Sequence, residues 1–358
     1  MNISRLWLLN FRNYENAILE FAENNLLVGP NGAGKTNILE AIDILATSRS
    51  KIVKGLNKCI RYGQQGFVIN GSFAAPDFTV AFRQEHKAER TIKIDDEILA
   101  RTSELIGRVN SVIFLPGDLE LIQGTPLVRR KYLDICISQT ERDYYKALQD
   151  YTRALKQRNE LLKTLRHSAG NLAGLDVWDE QLARLAGQIV PCRREYLEFF
   201  ARETAKLYNA MGFAGTVTIR YKTEVTADKQ KNLEILAAAR ADDVRFGHTH
   251  YGTHADDFEF YLNDNKAAEF CSQGQQRLLA IVFKCAEAKI KTEKLNDPPI
   301  VLIDDVLLEL DLERLNKIIA VIAPQSQKIF TVTDTGRLSA DVLRGMRVIK
   351  IAEGKVSS

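Results

Sequence analysis

Gly29-Pro-Asn-Gly-Ala-Gly-Lys-Thr36 carries the spacing G-x-x-x-x-G-K-[ST], a pattern suited to a polyphosphate. In such a loop the backbone of Gly29, Pro30, Asn31, Gly32, Ala33 and Gly34 wraps the anion, Lys35 neutralises the β- and γ-phosphates, and the Thr36 hydroxyl ligates Mg²⁺. Asn37 follows, opening a helix whose N-terminus adds favourable potential for negative charge. A second chemical feature is Pro299-Ile-Val-Leu-Ile-Asp-Asp305, an apolar run ending in two carboxylates. Asp304 suits the Mg²⁺ shell and Asp305 suits the base for an attacking water, although an acidic turn closing a core strand reads the same way. A third is Ser272-Gln-Gly-Gln-Gln276, which stands 32 residues before Asp304. Taken alone it is equally an ordinary helix N-cap.

These residues need a scaffold. Asn24 to Val28 reads as a short apolar strand running into the glycine loop, and Asn37 to Leu45 has helical apolar spacing, so the loop sits between strand and helix as its chemistry requires. Ile3 to Phe11 reads as an opening strand, with Phe67 to Phe73, Phe78 to Phe82 and Thr91 to Ile94 forming a β-rich patch. From Arg142 the pattern changes: Tyr144, Leu148, Tyr151, Leu155, Arg158, Leu162 and Leu165 alternate four and three apart, predicting a long helix. After the break at 167–174, Trp178, Leu182, Leu185 and Ile189 restart that spacing up to Pro191, giving an antiparallel hairpin of roughly 35 Å. A further helix to Met211 is expected, then strands Val217 to Tyr221 and Phe258 to Leu262, a helix from Gln273, a buried strand Ile300 to Ile303, and a last strand Ile329 to Thr333. The expected organisation is an α/β ATPase lobe over 1–122, a helical arm with the Ser-x-Gly-Gln element over 123–295, and a return to the first lobe over 296–358.

Composition bounds the alternatives. In 358 residues, 45% hydrophobic and 27% charged, a sizeable core is expected. The five cysteines are scattered without a C-x-x-C pair, which argues against a disulfide framework or zinc ribbon and for a cytoplasmic setting. No apolar run approaches the roughly 20 residues of a membrane span, so no membrane partner is expected. The net charge of +3 is too small to identify a polyanionic partner, but ten Lys/Arg against five Asp/Glu between Arg129 and Arg166 concentrate positive charge on one arm. Arg129, Arg130, Lys131, Arg153, Lys156, Arg158 and Lys163 are therefore candidate DNA contacts, with a solvated helix face as the plainer reading. His248, His250 and His254 with Asp256 and Asp257 have metal-ligand spacing, although the same stretch fits a structural loop.

The order of a phosphate loop, Ser-x-Gly-Gln, an apolar-Asp-acidic strand and Glu309-Leu-Asp311 is that of ABC-type ATPases. Beyond that order, Leu-Leu-Asn-Phe-Arg-Asn-Tyr14, Ser272-Gln-Gly-Gln-Gln-Arg277, Asp304-Asp-Val-Leu-Leu-Glu-Leu-Asp311 and Phe114 to Asp134 resemble the RecF family of bacterial recombination mediators over nearly the whole chain. The last segment is similar to the Q-loop region of SMC proteins, with Pro116 where those have glutamine. The resemblance implies an SMC-like P-loop ATPase head with a shortened helical hairpin and an ATP-dependent homodimer. In that dimer Ser272, Gln273, Gly274 and Gln275 of one subunit close on the nucleotide of the other, and Arg12 and Asp311 also serve the nucleotide. It further implies DNA binding near single-strand/double-strand junctions and gapped duplex, slow DNA-dependent hydrolysis, and work with RecR, RecO and RecA. Leu308, the Thr253 and Ala255 positions of Gly252-Thr-His-Ala-Asp-Asp257, and the Arg-free Ser50-Lys-Ile52 depart from the family pattern.

Two rivals remain at this point. A transporter's nucleotide-binding subunit shares the three motifs, but here Ser272 lies 237 residues after Lys35 with a basic helical arm between them. A DNA-binding switch with negligible turnover is the other, since Asp305 is one methylene shorter than the glutamate common in ABC ATPases.

Overall fold

The computed structural model describes residues 1–74, 76–86, 90–167, 172–305, 317–318, 322, 325–336 and 343–357. Leu308 and the expected D-loop Glu309 to Asp311 lie outside the described residues. The chain divides into two compact units, Met1–Asp118 with Ile281–Ser358, and Leu119–Ala280.

The first unit contains two six-stranded sheets. One is antiparallel, in the order β2 (Tyr14–Glu20), β1 (Asn2–Phe11), β4 (Gly66–Ala74), β5 (Phe78–Glu85), β6 (Thr91–Ile94) and β7 (Glu97–Ile98). Along β1 the buried side chains are Ile3, Leu6, Leu8 and Phe11, whose parity changes twice, where the register shifts between Ile3 and Arg5 and again across Asn10 at φ 53°. A bulge at the first of these keeps Ile3 facing the core. The other sheet runs β15 (Lys355–Ser357), β14 (Arg347–Ala352), β3 (Asn24–Val28), β13 (Lys328–Val332), β12 (Ile300–Asp304) and β8 (Ser111–Phe114), parallel except for the edge strand β15. Its central strands β12 and β13 are buried at every position, as expected for parallel strands covered on both faces. Helix α1 (Lys35–Thr47) packs against strands of both sheets, which is why it is buried almost all round rather than along one stripe.

The second unit is mainly helical, with α2 (Glu120–Gln123), α3 (Pro126–Thr140), α4 (Arg142–His167), α5 (Asp176–Ala210), α6 (Lys229–Phe246) and α7 (Ala267–Phe270) beside a three-stranded sheet β11 (Asn265–Lys266), β10 (Asp257–Leu262) and β9 (Val217–Lys222). Helix α8 (Gln273–Leu295) begins in this unit and ends in the first. The expected hairpin is α4 with α5. Tyr144 meets Arg193 near one end and Arg158 meets Asp179 near the other, so the two helices run antiparallel. The buried stripe of α4 is Tyr144, Ala147, Tyr151, Ala154, Arg158 and Leu162, with Leu148 and Leu155 at its margin. Small alanines, not the larger leucines, let the partner approach closely.

Two features differ from the sequence expectation. Helix α5 passes through Pro191 without ending, although proline deletes one backbone bond and its ring crowds the carbonyl four residues back. Burial of Ile189, Val190, Arg193, Tyr196 and Phe200 on either side offsets that cost. The basic arm also needs correction. Arg158 is fully buried and donates to Asp179 and Asp243 at 2.6 Å each and to Thr249 Oγ1 at 2.8 Å. Arg129 is buried in a bidentate pair with Asp257 at 2.7 and 2.8 Å. Neither can reach DNA.

Arg193, also buried, donates to Asp134, Asp256, Thr253 O and the Tyr144 hydroxyl. Burial opposes its charge, but Tyr144, Asp134, Tyr221 and Asp256 outweigh that and hold its pKa above the ordinary range. Removing one member of such a network strands the others without a counter-charge. Arg158→Met should therefore destabilise the chain by about 3–5 kcal/mol in urea unfolding. Lys156→Ala, on the exposed face two residues before it in α4, should stay within about 0.5 kcal/mol. Equal losses would show that the Arg158 network contributes nothing.

Candidate nucleotide site

The glycine loop leaves β3 and enters α1 through Gly34, at φ 113°. Two glycines are demanded by close approach. A Cβ on Gly29 would lie 2.0 Å from Ile351 O, and one on Gly34 would lie 2.7 Å from the Asn13 amide and 2.8 Å from the Tyr14 hydroxyl. The turn between β1 and β2 thus grips the loop from outside. Asn13 Nδ2 donates to Ala33 O (2.8 Å), Tyr14 OH to Gly34 O (3.0 Å), and Asn37 Nδ2 to Asn13 Oδ1 (2.8 Å). Gly354 N, from the turn joining β14 to β15, also donates to Ala33 O (3.1 Å). Asn13 and Tyr14 stand in the Leu-Leu-Asn-Phe-Arg-Asn-Tyr14 segment without a role that the sequence assigns, and Gly354 was not singled out, because nothing local marks a residue that clamps a distant loop.

Within the loop, Lys35 is buried and its ammonium donates to Gly29 O (2.8 Å) and Pro30 O (3.1 Å). The ammonium is therefore curled over the loop's first residues, where phosphate oxygens could replace the two carbonyls. Thr36 Oγ1 lies 2.8 and 2.9 Å from the two carboxylate oxygens of Asp304 at the end of β12. Two expected Mg²⁺ ligands, 268 residues apart in sequence, are in hydrogen-bond contact. A hydroxyl beside a carboxylate is a hard-oxygen pair that suits Mg²⁺. Burial, and secondarily the neighbouring Asp305, push the Asp304 pKa up, while bonds from Thr36 and Thr331 pull it down.

Thr331, on β13 between β3 and β12, is the site residue the sequence reading missed. Its hydroxyl lies 3.0 Å from Asp304 Oδ1 and 3.2 Å from Asp305 Oδ1, and accepts from Asp305 N at 3.0 Å. One hydroxyl proton can serve only one of the two carboxylates at a time. Asp305 itself has φ 44°, so the chain turns sharply as it leaves the strand. The signal that could have found Thr331 is a hydroxyl near the end of an otherwise apolar buried strand.

Arg12, expected at the nucleotide, forms a bidentate pair with buried Glu40 of α1 at 2.7 Å for both bonds and also donates to Lys58 O. Ser50 Oγ donates to the same carboxylate. In the Arg-free stretch after α1, Lys51 pairs with Asp43 at 3.1 Å.

The Ser-x-Gly-Gln element lies in the second unit. Ser272, Gln273 and Gly274 are exposed at the start of α8. Ser272 Oγ accepts from Gln275 N (3.3 Å) while Gln275 Oε1 accepts from Ser272 N (2.9 Å), a reciprocal capping box. The cap reading of this motif is therefore real in the chain itself. Gln276 holds the element in place, donating to Ala267 O, Ala268 O and Cys271 O and accepting from Gln123.

Of the remaining candidate DNA contacts, Lys131, Arg153, Lys156 and Lys163 are exposed, and Arg130 is half-buried on Asp256 O (2.6 Å). The histidine stretch does not gather as a metal centre among the described residues. Asp256 accepts from Arg193, Tyr221 and Thr223, Asp257 from Arg129, and His254 sits between Tyr151 OH and Thr249 O, with burial the main cause of its lowered pKa.

Residues 2–356 match the model for the RecF/RecN/SMC N terminal domain. The chain is 34% identical to the DNA replication and repair protein RecF of Moorella thermoacetica, across 99% of this chain and 96% of that one. It is 32% identical to RecF of Geotalea uraniireducens, across 99% and 100%. Among solved structures it is similar to the recombination mediator protein RecF with ATP in the RecFOR pathway (TM-score 0.91, 30% identity, covering 99% of this chain and 96% of that one). An SMC head bound to the C-winged helix domain of ScpA shares the fold at TM-score 0.58 and 16% identity, covering 100% of this chain and 96% of that one.

Thr331→Val keeps the shape of β13 and deletes the hydroxyl. A hydrogen bond to a charged group contributes about 1.5–3 kcal/mol, so ATP turnover should fall roughly ten- to a hundredfold in kcat with little change in ATP affinity. Thr331→Ser should retain it. Unchanged kcat in the valine variant would show that Thr331 does not position the carboxylates.

Proposed function

The chain belongs to the RecF family, within the RecF/RecN/SMC N-terminal domain class of ATPases, and from that premise we propose that it is an ATP-dependent DNA replication and repair protein whose working form is a nucleotide-bridged dimer. The observation that carries this reading is the contact of Thr36 with Asp304, which joins the phosphate loop to the carboxylate strand. Full-length likeness to DNA replication and repair proteins favours it over a transporter subunit.

In this reading Lys35 exchanges Gly29 O and Pro30 O for the β/γ-phosphate oxygens of ATP. The residues of the glycine loop, with Asn37 at the helix start, surround the phosphates. Thr36 and Asp304 would hold Mg²⁺, which supplies charge neutralisation on the phosphates when bound. Asp305 accepts the proton of the attacking water, and Thr331 shares its hydroxyl proton between the two aspartates. Arg12, held by Glu40, stiffens the turn that grips the loop, and Asp311 is assigned to the nucleotide by resemblance alone.

Closure by a second copy is supported at the Ser-x-Gly-Gln element. Ser272, Gln273 and Gly274 are exposed, and a Cβ on Gly274 would meet nothing of its own chain within 4 Å. Glycine is not needed there for folding, which suits close approach of another molecule's nucleotide. DNA near single-strand/double-strand junctions or in gapped duplex, and RecR with RecO and RecA in the pathway, are the partners this reading assigns, in the cytoplasm. Hydrolysis in this reading is slow, because the short Asp305 side chain stands where ABC ATPases commonly place glutamate, and its dependence on DNA rests on the family resemblance alone.

Asp305→Asn should bind ATP normally, hydrolyse it slowly and accumulate as the dimer, since Asn cannot take the water proton while Asp304 still serves the metal. Loss of ATP binding in that variant would reverse the roles of the two aspartates. The shared site has its own test. Lys35→Ala and Ser272→Arg should each be inactive as homodimers, while a mixture regains up to roughly a quarter of normal activity, because half of randomly formed dimers carry one intact site. A mixture that stays inactive after demonstrated subunit exchange would count against nucleotide sharing.

A further inference from the structure

The exposed end of α6, in the second unit, carries a set of side chains that neither the core nor the nucleotide site uses. Phe246 closes the helix and is 50% exposed. His248 and His250 follow it, both exposed, with ring centroids 4.2 Å apart. Phe246 meets His250 edge to face at 5.2 Å and His248 at 6.3 Å. The three rings thus form one contiguous cluster on the surface.

The cluster is built, not incidental. Gly247, at φ 74°, ends α6 by donating to Asp243 O and turns the chain so that alternate residues face outward. Buried Asp243 then fixes the last ring, its Oδ1 taking both His250 N (3.0 Å) and His250 Nδ1 (2.8 Å). Its other oxygen is held by the fully buried Arg158. Arg158, which the charge pattern had suggested for DNA, instead anchors the support of this surface. Cations surround the rings. The Arg245 guanidinium lies 5.3 Å from the Phe246 centroid, and Lys163 and Arg166 of α4 approach Gly247 closely enough that an added Cβ would touch both at 3.7 Å. The neighbouring acids are Glu160, paired with Lys163 at 2.9 Å, and exposed Asp242.

We propose that this aromatic and basic cluster, Phe246, His248 and His250 flanked by Arg245, Lys163 and Arg166, is a stacking site for unpaired bases of single-stranded nucleic acid. Exposed rings offer π-faces to bases, and flanking cations offer charge to the phosphates between them. Duplex DNA cannot use the rings, because its bases already stack on one another. An acidic protein would use the cations, but it would leave the rings without a matching partner. The inference rests on the nucleic-acid function proposed above and deepens it by naming the form of DNA that this surface reads.

The test is fluorescence anisotropy of the full chain with labelled oligothymidine and with a labelled duplex. Phe246→Ala should weaken oligothymidine binding about tenfold, and Phe246→Ala with His248→Ala more, while duplex binding changes less than about twofold. Phe246→Trp should restore or exceed normal affinity, which a merely structural role would not produce. Unchanged oligothymidine binding in both alanine variants, with the unsubstituted chain binding well, overturns the stacking site and leaves the proposed function intact. Equal losses on both probes overturn it too, marking a charge surface. Absence of any DNA binding by the unsubstituted chain would instead overturn the nucleic-acid function. Normal DNA binding with loss of a protein partner in the alanine variants would reassign the cluster as a protein surface.

Discussion

Asp304 can accept a hydrogen bond from Thr36 because β3 and β12 run parallel with one strand between them. Leu27, Thr331 and Asp304 lie in a single row across β3, β13 and β12. Two residues beyond that row β3 opens into the glycine loop, which returns Thr36 over the top of the sheet. A one-residue slip of β13 would turn the Thr331 hydroxyl to the other face and part the two aspartates from their shared donor. The apolar burial of β12 and β13 is therefore more than core: it sets the register that links Thr36, Asp304, Thr331 and Asp305 in a chain of hydrogen bonds of 2.8–3.2 Å.

The second unit depends on a different constraint, that of charges taken out of water. Arg158, Arg193 and Arg129 each lose their hydration, and each is surrounded by acceptors that make the loss tolerable. This explains the departures in Gly252-Thr-His-Ala-Asp-Asp257. Asp256 and Asp257 have no arginine at position 255, yet neither is stranded, because Arg193 comes from α5 and Arg129 from α3. The loop thereby ties α3 and α5 to the start of β10, the middle strand of the small sheet. Such networks are weak evidence of added stability, since the cost of desolvating the charges offsets much of their attraction.

The chemistry-bearing residues were legible because their spacing is local: a glycine loop between strand and helix, two carboxylates ending an apolar strand, a serine and glycine opening a helix. The roles of Thr331, Gln276, Asn13 and Tyr14 were not, since each acts through hydrogen bonds to partners that the fold, not the local spacing, brings to it. Pro191 misled because proline normally ends a helix, and tertiary burial around it overrode that preference. The stripe of α4 was read from four-three spacing of mostly large apolar residues, which placed Leu148 and Leu155 on it, whereas Ala147 and Ala154 line the contact because smallness is what a tight hairpin needs. Strands β2, β7, β8, β11, β14 and β15 went unread; β15 is an exposed edge strand, and β14 beside it buries only Ile349 and Ile351, leaving little apolar pattern to betray them.

Charge counting failed for a more general reason. Of the ten cations between Arg129 and Arg166, Arg129 and Arg158 are spent inside the fold and Arg130 is turned onto a carbonyl. Lys146, Arg153 and Lys163 stand on the surface, but each faces an acid three residues before it, Asp143, Asp150 and Glu160. Exposed pairs of this kind contribute only about 0–1 kcal/mol, so a phosphate can displace the acid. The acid remains nearby, however, and it repels the phosphate that replaces it. Lys131, Arg142, Lys156 and Arg166 are exposed as well, but charge that meets phosphates carries little information about the bases. In the stacking proposal, discrimination between single and double strands comes instead from groups that interact with bases, the exposed rings after α6, one of which is fixed from beneath by a buried ion pair.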